Sequence, residues 1–431
     1  MDEPLTIGLL IDDSLDRPDG VQQYVLTLGA WLTAQGHTVH YITASTERTD
    51  LPHLHVIGRT VNVTFNGNGL GTPLPVSGKA SRALTADLGL DVLHVQMPYS
   101  PFLAGRVISA ADASATTAVV GTFHIYPQSR LVSVGARILG LLERRRLRAF
   151  DAFLAVSEAA QSFAAQAFRI DTTVIGNPVV IEQFAPSSSG HSTAAVEPSP
   201  SSHTTAAVEP GSEEPSPSAQ STAAVEPGRE AADGRDPAGT PVPHIVFLGR
   251  LVERKGPREL MEALVRLHSL SPDVAWRATI AGRGPMLTEL QAMVVKDGLD
   301  DQVTFPGFIA EEDKAALLSS ADIVALPSTG GESFGISVVE ALAASTGVVL
   351  AGDNPGYRTV MRGLEEQLVD PKDTTTFSRI VSSWMSELQD PESRMAVVDA
   401  QHQAAARFDV NVIGTRVVEQ YRAAMAHRAG R

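Results

Sequence analysis

The chain has 431 residues, 43% hydrophobic and 19% charged, enough apolar material for two or three globular cores. A formal net charge of −15 disfavours general nucleic-acid binding, and the lack of any cysteine removes disulfides, thiolate catalysis and cysteine-based zinc sites while permitting a reducing cytoplasm. The acidic start MDEPLTIGLLID is too short an apolar run for a signal peptide, and no apolar run reaches the ~18 residues of a membrane span, so any membrane contact is expected to be peripheral.

In chain order, short β-rich runs alternate with helical stretches. TIGLLID (6–12) reads as a strand, Gly20 to Ala34 as a helix, and HTVHYIT (37–43) as a strand again. DVLHVQ (91–96), TAVVGTFH (117–124) and AFLAVS (152–157) continue the strand series. From Pro186 to Pro243 the composition turns to Ser, Pro, Ala, Gly and Glu, with STAAVEP at 192–198, TTAAVEP at 204–210 and STAAVEP at 221–227. That stretch offers no face to bury and reads as a disordered low-complexity linker. Past it, HIVFLGR (244–250), WRATIAG (276–282), QVTFPG (302–307), DIVALPS (322–328) and TGVVLAG (346–352) are strands with helices between.

Continuous apolar strands separated by helices indicate parallel sheets covered on both faces. The expected architecture is α/β, with two doubly wound Rossmann-like domains facing across a cleft. Residues 1–185 form the first, 186–243 the linker, 244–409 the second, and 410–431 a helix packing back towards the first. Ligands of such sheets bind outside the carboxyl ends of the strands.

Four strand ends carry candidate chemistry. In GGESFGISVVEAL (330–342) the helix is expected to start near Ser333, with Ile336, Val338, Val339 and Leu342 facing the sheet. Glycines there would let an anion approach unpaired N–H groups. Glu332 at the helix entrance could accept from a sugar hydroxyl, and Glu340, two turns on, could chelate a ribose. The other reading of this pair is a helix cap and an exposed helix glutamate. In HIVFLGRLVERKG (244–256), Arg250 and Lys255 follow the strand end at Gly249, and two cations there suit a diphosphate. In DDSLDRPDGVQQYV (12–25), Gly20 opens a helix and would allow close approach to phosphate. His124 closes the strand of GTFH, where it is either a structural hydrogen-bonder or a site residue. No Walker loop, D-x-D or full G-x-G-x-x-G is present, so no metal site is expected.

Together these stretches resemble the family-4 retaining glycosyltransferases, which have the GT-B fold, over nearly the whole chain outside the linker. Within that family the bacterial phosphatidylinositol mannosyltransferases are most similar, through residues 19–39, DVLHVQMPYSPFL (91–103), VVGTFH (119–124), AVSEAA (155–160) and GGESFGISVVEALAA (330–344). The resemblance implies transfer of a sugar, mannose from GDP-mannose leading, to an acceptor such as a phosphatidylinositol-type lipid. It implies Gly20 against the donor phosphate, Arg250 and Lys255 on the diphosphate, Glu332 on the transferred sugar, Glu340 on the ribose and His124 beside the reacting sugar. Gly249, Gly331, Phe334, Gly335 and Ile336 complete the implied nucleotide-sugar site. No cofactor is required, with divalent-ion stimulation left open. Asp19 stands where the family has the first of two glycines, and an acid beside a diphosphate would weaken donor binding unless it points away. GNPVV (176–180) replaces the family's P-N-G-V. The family's basic membrane helix retains only Lys79 and Arg82, whereas residues 130–150 carry six arginines among apolar residues. That stretch reads either as a basic amphipathic helix on an anionic membrane, placing the protein at the inner face of the plasma membrane, or as a packed helix with a solvated end. The rival functions are a sugar-nucleotide epimerase of the same fold and a nucleotide-sugar-binding protein with weak turnover.

Overall fold

The computed structural model describes residues 3–16, 19–57, 60–65, 68–73, 78–100, 103–114, 116–126, 130–185, 242–272 and 274–431. The low-complexity stretch called a linker lies outside them, apart from residues 242 and 243.

The first half runs β1 (Thr6–Ile11), α1 (Gly20–Ala34), β2 (Thr38–Thr43), β3 (Leu54–Val56), β4 (Thr60–Phe65), β5 (Asn68–Pro73), α2 (Gly78–Leu88), β6 (Val92–Gln96), α3 (Leu103–Asp112), β7 (Ala118–Phe123), α4 (Arg130–Leu147), β8 (Ala152–Ala155), α5 (Glu158–Phe163) and β9 (Thr173–Val174). Its sheet has the order β3-β2-β1-β6-β7-β8-β9, and every pairing in it is parallel. β4 and β5 form a separate antiparallel pair that the sequence reading did not contain, nor did it contain the short strands β3 and β9.

The second half runs β10 (His244–Leu248), α6 (Pro257–Leu270), β11 (Arg277–Ala281), α7 (Leu287–Asp297), β12 (Val303–Gly307), α8 (Lys314–Ser319), β13 (Ile323–Leu326), α9 (Ile336–Ala344), β14 (Val348–Gly352), α10 (Pro355–Val360), β15 (Leu368–Val369), α11 (Thr374–Glu387), α12 (Pro391–Ala406) and α13 (Val410–Ala429). The order β12-β11-β10-β13-β14-β15 is again parallel throughout. Strands such as AVVGTF of β7 and VVLAG of β14 are buried along their whole length, as a sheet covered on both faces requires.

The strand orders put one topological switch point in each half, between β1 and β6 and between β10 and β13. Chains leaving the two neighbouring strands there diverge to opposite sides and open a crevice at their carboxyl ends. Both halves belong to one compact unit. Helix α13 packs on the first half: Trp31 Nε1 donates to Asn411 Oδ1 at 2.8 Å, Tyr421 O–H and His94 Nδ1 are hydrogen-bonded at 2.7 Å, and Arg428 pairs with Asp112 at 2.9 Å.

Candidate active site

Gly330, Gly331 and Gly335 have φ of 153°, 70° and 112°, outside the right-handed helical region. Helix α9 therefore begins at Ile336, with Gly335 as its N-cap, and not near Ser333 as expected. At Gly335 a Cβ would also stand 2.6 Å from the Tyr357 ring. Glu332 is consequently a loop residue several positions before the helix, not the residue at its entrance as expected. The loop is nevertheless fixed. Ser157 donates through Oγ to the Ser333 carbonyl, and the Tyr126 N–H donates to Ser333 Oγ at 2.9 Å, so the first half grips the loop beside Glu332.

Because β10 and β13 are neighbours at the switch point, the loops leaving them meet. After β10 the chain makes a single helical turn over Glu253–Lys255, closed by Gly256 in the left-handed region at φ 72°. That turn aims two cations at one carboxylate. Arg254 Nη1 lies 2.7 Å and Lys255 Nζ 2.9 Å from Glu332 Oε1, and Ser328 Oγ donates to the same oxygen at 2.9 Å. Burial works to raise the Glu332 carboxyl, but the Lys255 and Arg254 charges and the donated hydrogen bonds outweigh it and hold the acid below its ordinary range. The same pairing keeps the Lys255 ammonium above its ordinary range against the opposing effect of burial. Arg250, one residue past Gly249, is exposed. Of these partners the sequence reading contained Lys255 but missed Arg254 and Ser328, and it assigned Lys255 and Glu332 to separate parts of a ligand although here they are in contact.

Glu340 is 3% exposed, so the exposed-glutamate reading fails. Gln23 Nε2 of α1 donates to Glu340 Oε1 at 3.2 Å, and Lys314 Nζ stands 3.5 Å from Oε2. Burial raises the Glu340 carboxyl, only partly offset by Lys314. A buried acid bound by one helix of each half lies at the junction between them. Ile336 is half-buried and faces Gly20 rather than only its own sheet: a Cβ on Gly20 would stand 3.6 Å from Ile336 Cδ1. The first residues of α1 and α9 therefore adjoin, bringing two helix N-termini, with their unpaired N–H groups, to one place. Asp19 is the N-cap residue of α1, but its side chain makes no capping hydrogen bond.

Phe334 departs from expectation. Its ring is 2% exposed and packs edge-on against Phe408, with centroids 5.1 Å apart. It fills the junction near Gly176, leaving only its backbone to meet a ligand. His124 lies just past β7, 7% exposed, with Nε2 2.7 Å from Gln96 Oε1 at the end of neighbouring β6 and the Tyr24 ring edge-on at 4.9 Å. Burial lowers its pKa to about 3, so it is a neutral imidazole at ordinary pH. It is a hydrogen-bonder at a strand end, as the structural reading of this residue expects.

The arginine-rich stretch forms α4. Ile138, Leu141 and Leu142 are 57%, 70% and 74% exposed there, alongside exposed Arg137, Arg144, Arg145 and Arg148. Large aliphatic side chains in water among arginines are not what a helix packed along its length shows. Among the described residues no helix is long and apolar enough to cross a membrane, and no cluster of three or more metal-ligating side chains occurs.

Two family descriptions match in tandem: Glycosyltransferase Family 4 over residues 18–183 and Glycosyl transferases group 1 over residues 231–402. The phosphatidyl-myo-inositol mannosyltransferase of Mycobacterium tuberculosis (strain H37Rv) is 27% identical over 423 residues, covering 97% of this chain and 96% of the relative. That of Mycobacterium leprae is 28% identical over 424 residues, with the same coverage of both chains. Among solved structures, a glycosyltransferase from Rickettsia africae superposes with a TM-score of 0.68 at 16% identity, covering 98% of this chain and 99% of that one. Anabaena HepE in complex with UDP gives 0.64 at 18% identity, covering 96% and 99%. Likenesses at that identity speak for the fold.

Proposed function

Because the chain belongs to the glycosyltransferases that join a family 4 half to a group 1 half in the GT-B fold, we propose that it transfers mannose from GDP-mannose, with retention of configuration, to a phosphatidylinositol-type lipid at an anionic membrane surface. The observation that carries this reading is the convergence at the junction of the halves. Two helix N-termini adjoin at Gly20 and Ile336, beside the loop whose Glu332 is clasped by Arg254 and Lys255.

In chemical terms, a departing nucleoside diphosphate accumulates negative charge in the transition state. Arg250, Lys255 and the N–H groups at the start of α9 stabilise that charge where it develops, and their fixed placement keeps reorganisation small. Glu332 accepts hydrogen bonds from hydroxyls of the transferred sugar and, with its own charge held by Arg254, remains anionic while doing so. Glu340 takes the ribose hydroxyls. Mannose and the inositol lipid rest on the relatives' names. GDP rather than UDP is part of the proposal, and so is the working position at the inner face of the plasma membrane.

The membrane component rests on α4. Its exposed Ile138, Leu141 and Leu142 suit insertion at the headgroup boundary, and its arginines would attract anionic lipid to a protein that is otherwise acidic. The test is transfer from labelled GDP-mannose or UDP-glucose to vesicles with and without phosphatidylinositol, with the anomeric configuration of the product read by NMR. The reading expects α-mannosyl lipid from GDP-mannose. Use of UDP-glucose alone, an inverted product, or sugar-nucleotide isomerisation without an acceptor would replace it.

A further inference from the structure

Gln96 ends β6 beside His124 and is 1% exposed. One end of its amide is committed: Oε1 lies 2.7 Å from His124 Nε2. The other end, Nε2, is buried and has no partner among the described residues. A buried amide N–H left unsatisfied costs roughly 1–3 kcal/mol, so its presence calls for a reason. The place supplies one, because β6 is one of the two strands at the switch point of the first sheet, where ligands of this architecture bind.

The pairing also fixes the imidazole. An amide oxygen only accepts, so His124 must carry its proton on Nε2 and present a lone pair at Nδ1. Around the ring stand the Tyr24 ring from α1 and the uncharged His94 of β6, and among the described residues no carboxylate pairs with it. We infer that Gln96 is a positioning residue that sets the tautomer of His124, and that its unpaired amide N–H donates to the oxygen of one substrate hydroxyl. This rests on the transferase reading. The hydroxyl belongs to the transferred sugar or to the acceptor polyol, which share the chemistry.

The test uses Gln96→Met, which keeps the shape and loses both polar atoms. Long-range ¹H–¹⁵N spectra should show His124 protonated on Nε2 in the native protein and a mixture of tautomers in the variant. Turnover of GDP-mannose should fall roughly tenfold to a hundredfold, the size of one lost positioned hydrogen-bonding group, with GDP affinity unchanged. In the native protein the Gln96 side-chain amide signal should shift with GDP-mannose but not GDP if the sugar is read, and with myo-inositol 1-phosphate if the acceptor is read. An unchanged tautomer in the variant, or an amide signal indifferent to both probes, overturns the inference. These spectra report even if the native protein fails to mannosylate phosphatidylinositol, an outcome that would sink the transferase reading alone.

Discussion

Lys255 and Glu332 are ion-paired at 2.9 Å although they stand 77 positions apart in sequence and leave the sheet from different strands. The pair exists because β10 and β13 are neighbours at the point where the strand order reverses. The arrangement makes the anionic loop and the cationic turn a single unit, and a diphosphate arriving at the turn would compete with Glu332 for Lys255.

Glu340 should act on the nucleoside and not on the phosphates. Its carboxylate is bound by Gln23 and Lys314, and the proposed function gives it the two vicinal hydroxyls of the ribose. Glu340→Ala is expected to weaken GDP binding by roughly 10- to 100-fold, the worth of one or two charge-assisted hydrogen bonds. The same substitution should hardly change binding of 2′,3′-dideoxy-GDP. Equal losses for both nucleotides in calorimetry would remove Glu340 from the ribose.

Asp19 gives a prediction of opposite sign. It makes no capping hydrogen bond, so its loss should cost little stability, since glycine is itself an accepted N-cap. An acid at the start of α1 opposes an arriving diphosphate. Asp19→Gly should therefore tighten GDP binding several-fold at low salt, with the gain shrinking as ionic strength rises. A weakened affinity would mean that Asp19 contributes a contact of its own.

Much of this was legible in the sequence. The long parallel strands were, because a strand buried on both faces is a run such as TIGLLI that nothing else explains. So were the glycine loop, the strand-end cations and His124. Arg254 was missed because nothing in V-E-R-K-G says which side chains a one-turn helix closed by Gly256 will point inward. Gln23, Gln96, Ser157 and Ser328 were missed because each matters only through a partner between 4 and 317 positions away. The start of α9 was misplaced because Ser333 has the chemistry of a cap, while the positive φ of Gly335 decides the boundary. Edge strands β3 and β9 are too short to show a period.

Buried histidines make the fold sensitive to acid. His94 is 0% exposed and held at about 3 by burial and by His124 nearby, against an ordinary value of 6.5. Between these values the unfolded chain binds a proton that the native state refuses. The stabilisation is therefore complete above pH ~6.5 and is lost as pH falls, by about 1.4 kcal/mol per unit for each such group. Asp12, raised to about 6 mainly by burial, acts in the opposite sense over roughly pH 4–6, its contribution being lost as pH rises. In urea melts, His94→Gln should be less stable at pH 7 but should lose about 2 kcal/mol less than the native protein on going to pH 5. Identical losses would contradict the burial account of His94.

Vesicle flotation tests α4. Replacing Ile138, Leu141 and Leu142 with serine removes exposed apolar surface and should leave the melting temperature nearly unchanged. Binding to vesicles rich in anionic lipid should fall at least tenfold, and native binding should weaken with salt. Native binding equal on neutral and anionic vesicles would show that the arginines play no part.

The central claim is that Arg250 and Lys255 serve the diphosphate while Glu332 serves the transferred sugar, with the Lys255–Glu332 pair linking the two. Calorimetry with GDP on Lys255→Ala and Glu332→Ala, beside a transfer assay, tests it most directly. Each substitution should lower turnover by roughly 30- to 1000-fold, corresponding to about 2–4 kcal/mol of transition-state stabilisation. Lys255→Ala should also weaken GDP binding, whereas Glu332→Ala should leave it unchanged or tighter, since GDP carries no transferable sugar and Lys255 is released to meet the phosphates. Loss of GDP binding in Glu332→Ala together with intact binding in Lys255→Ala would contradict the account.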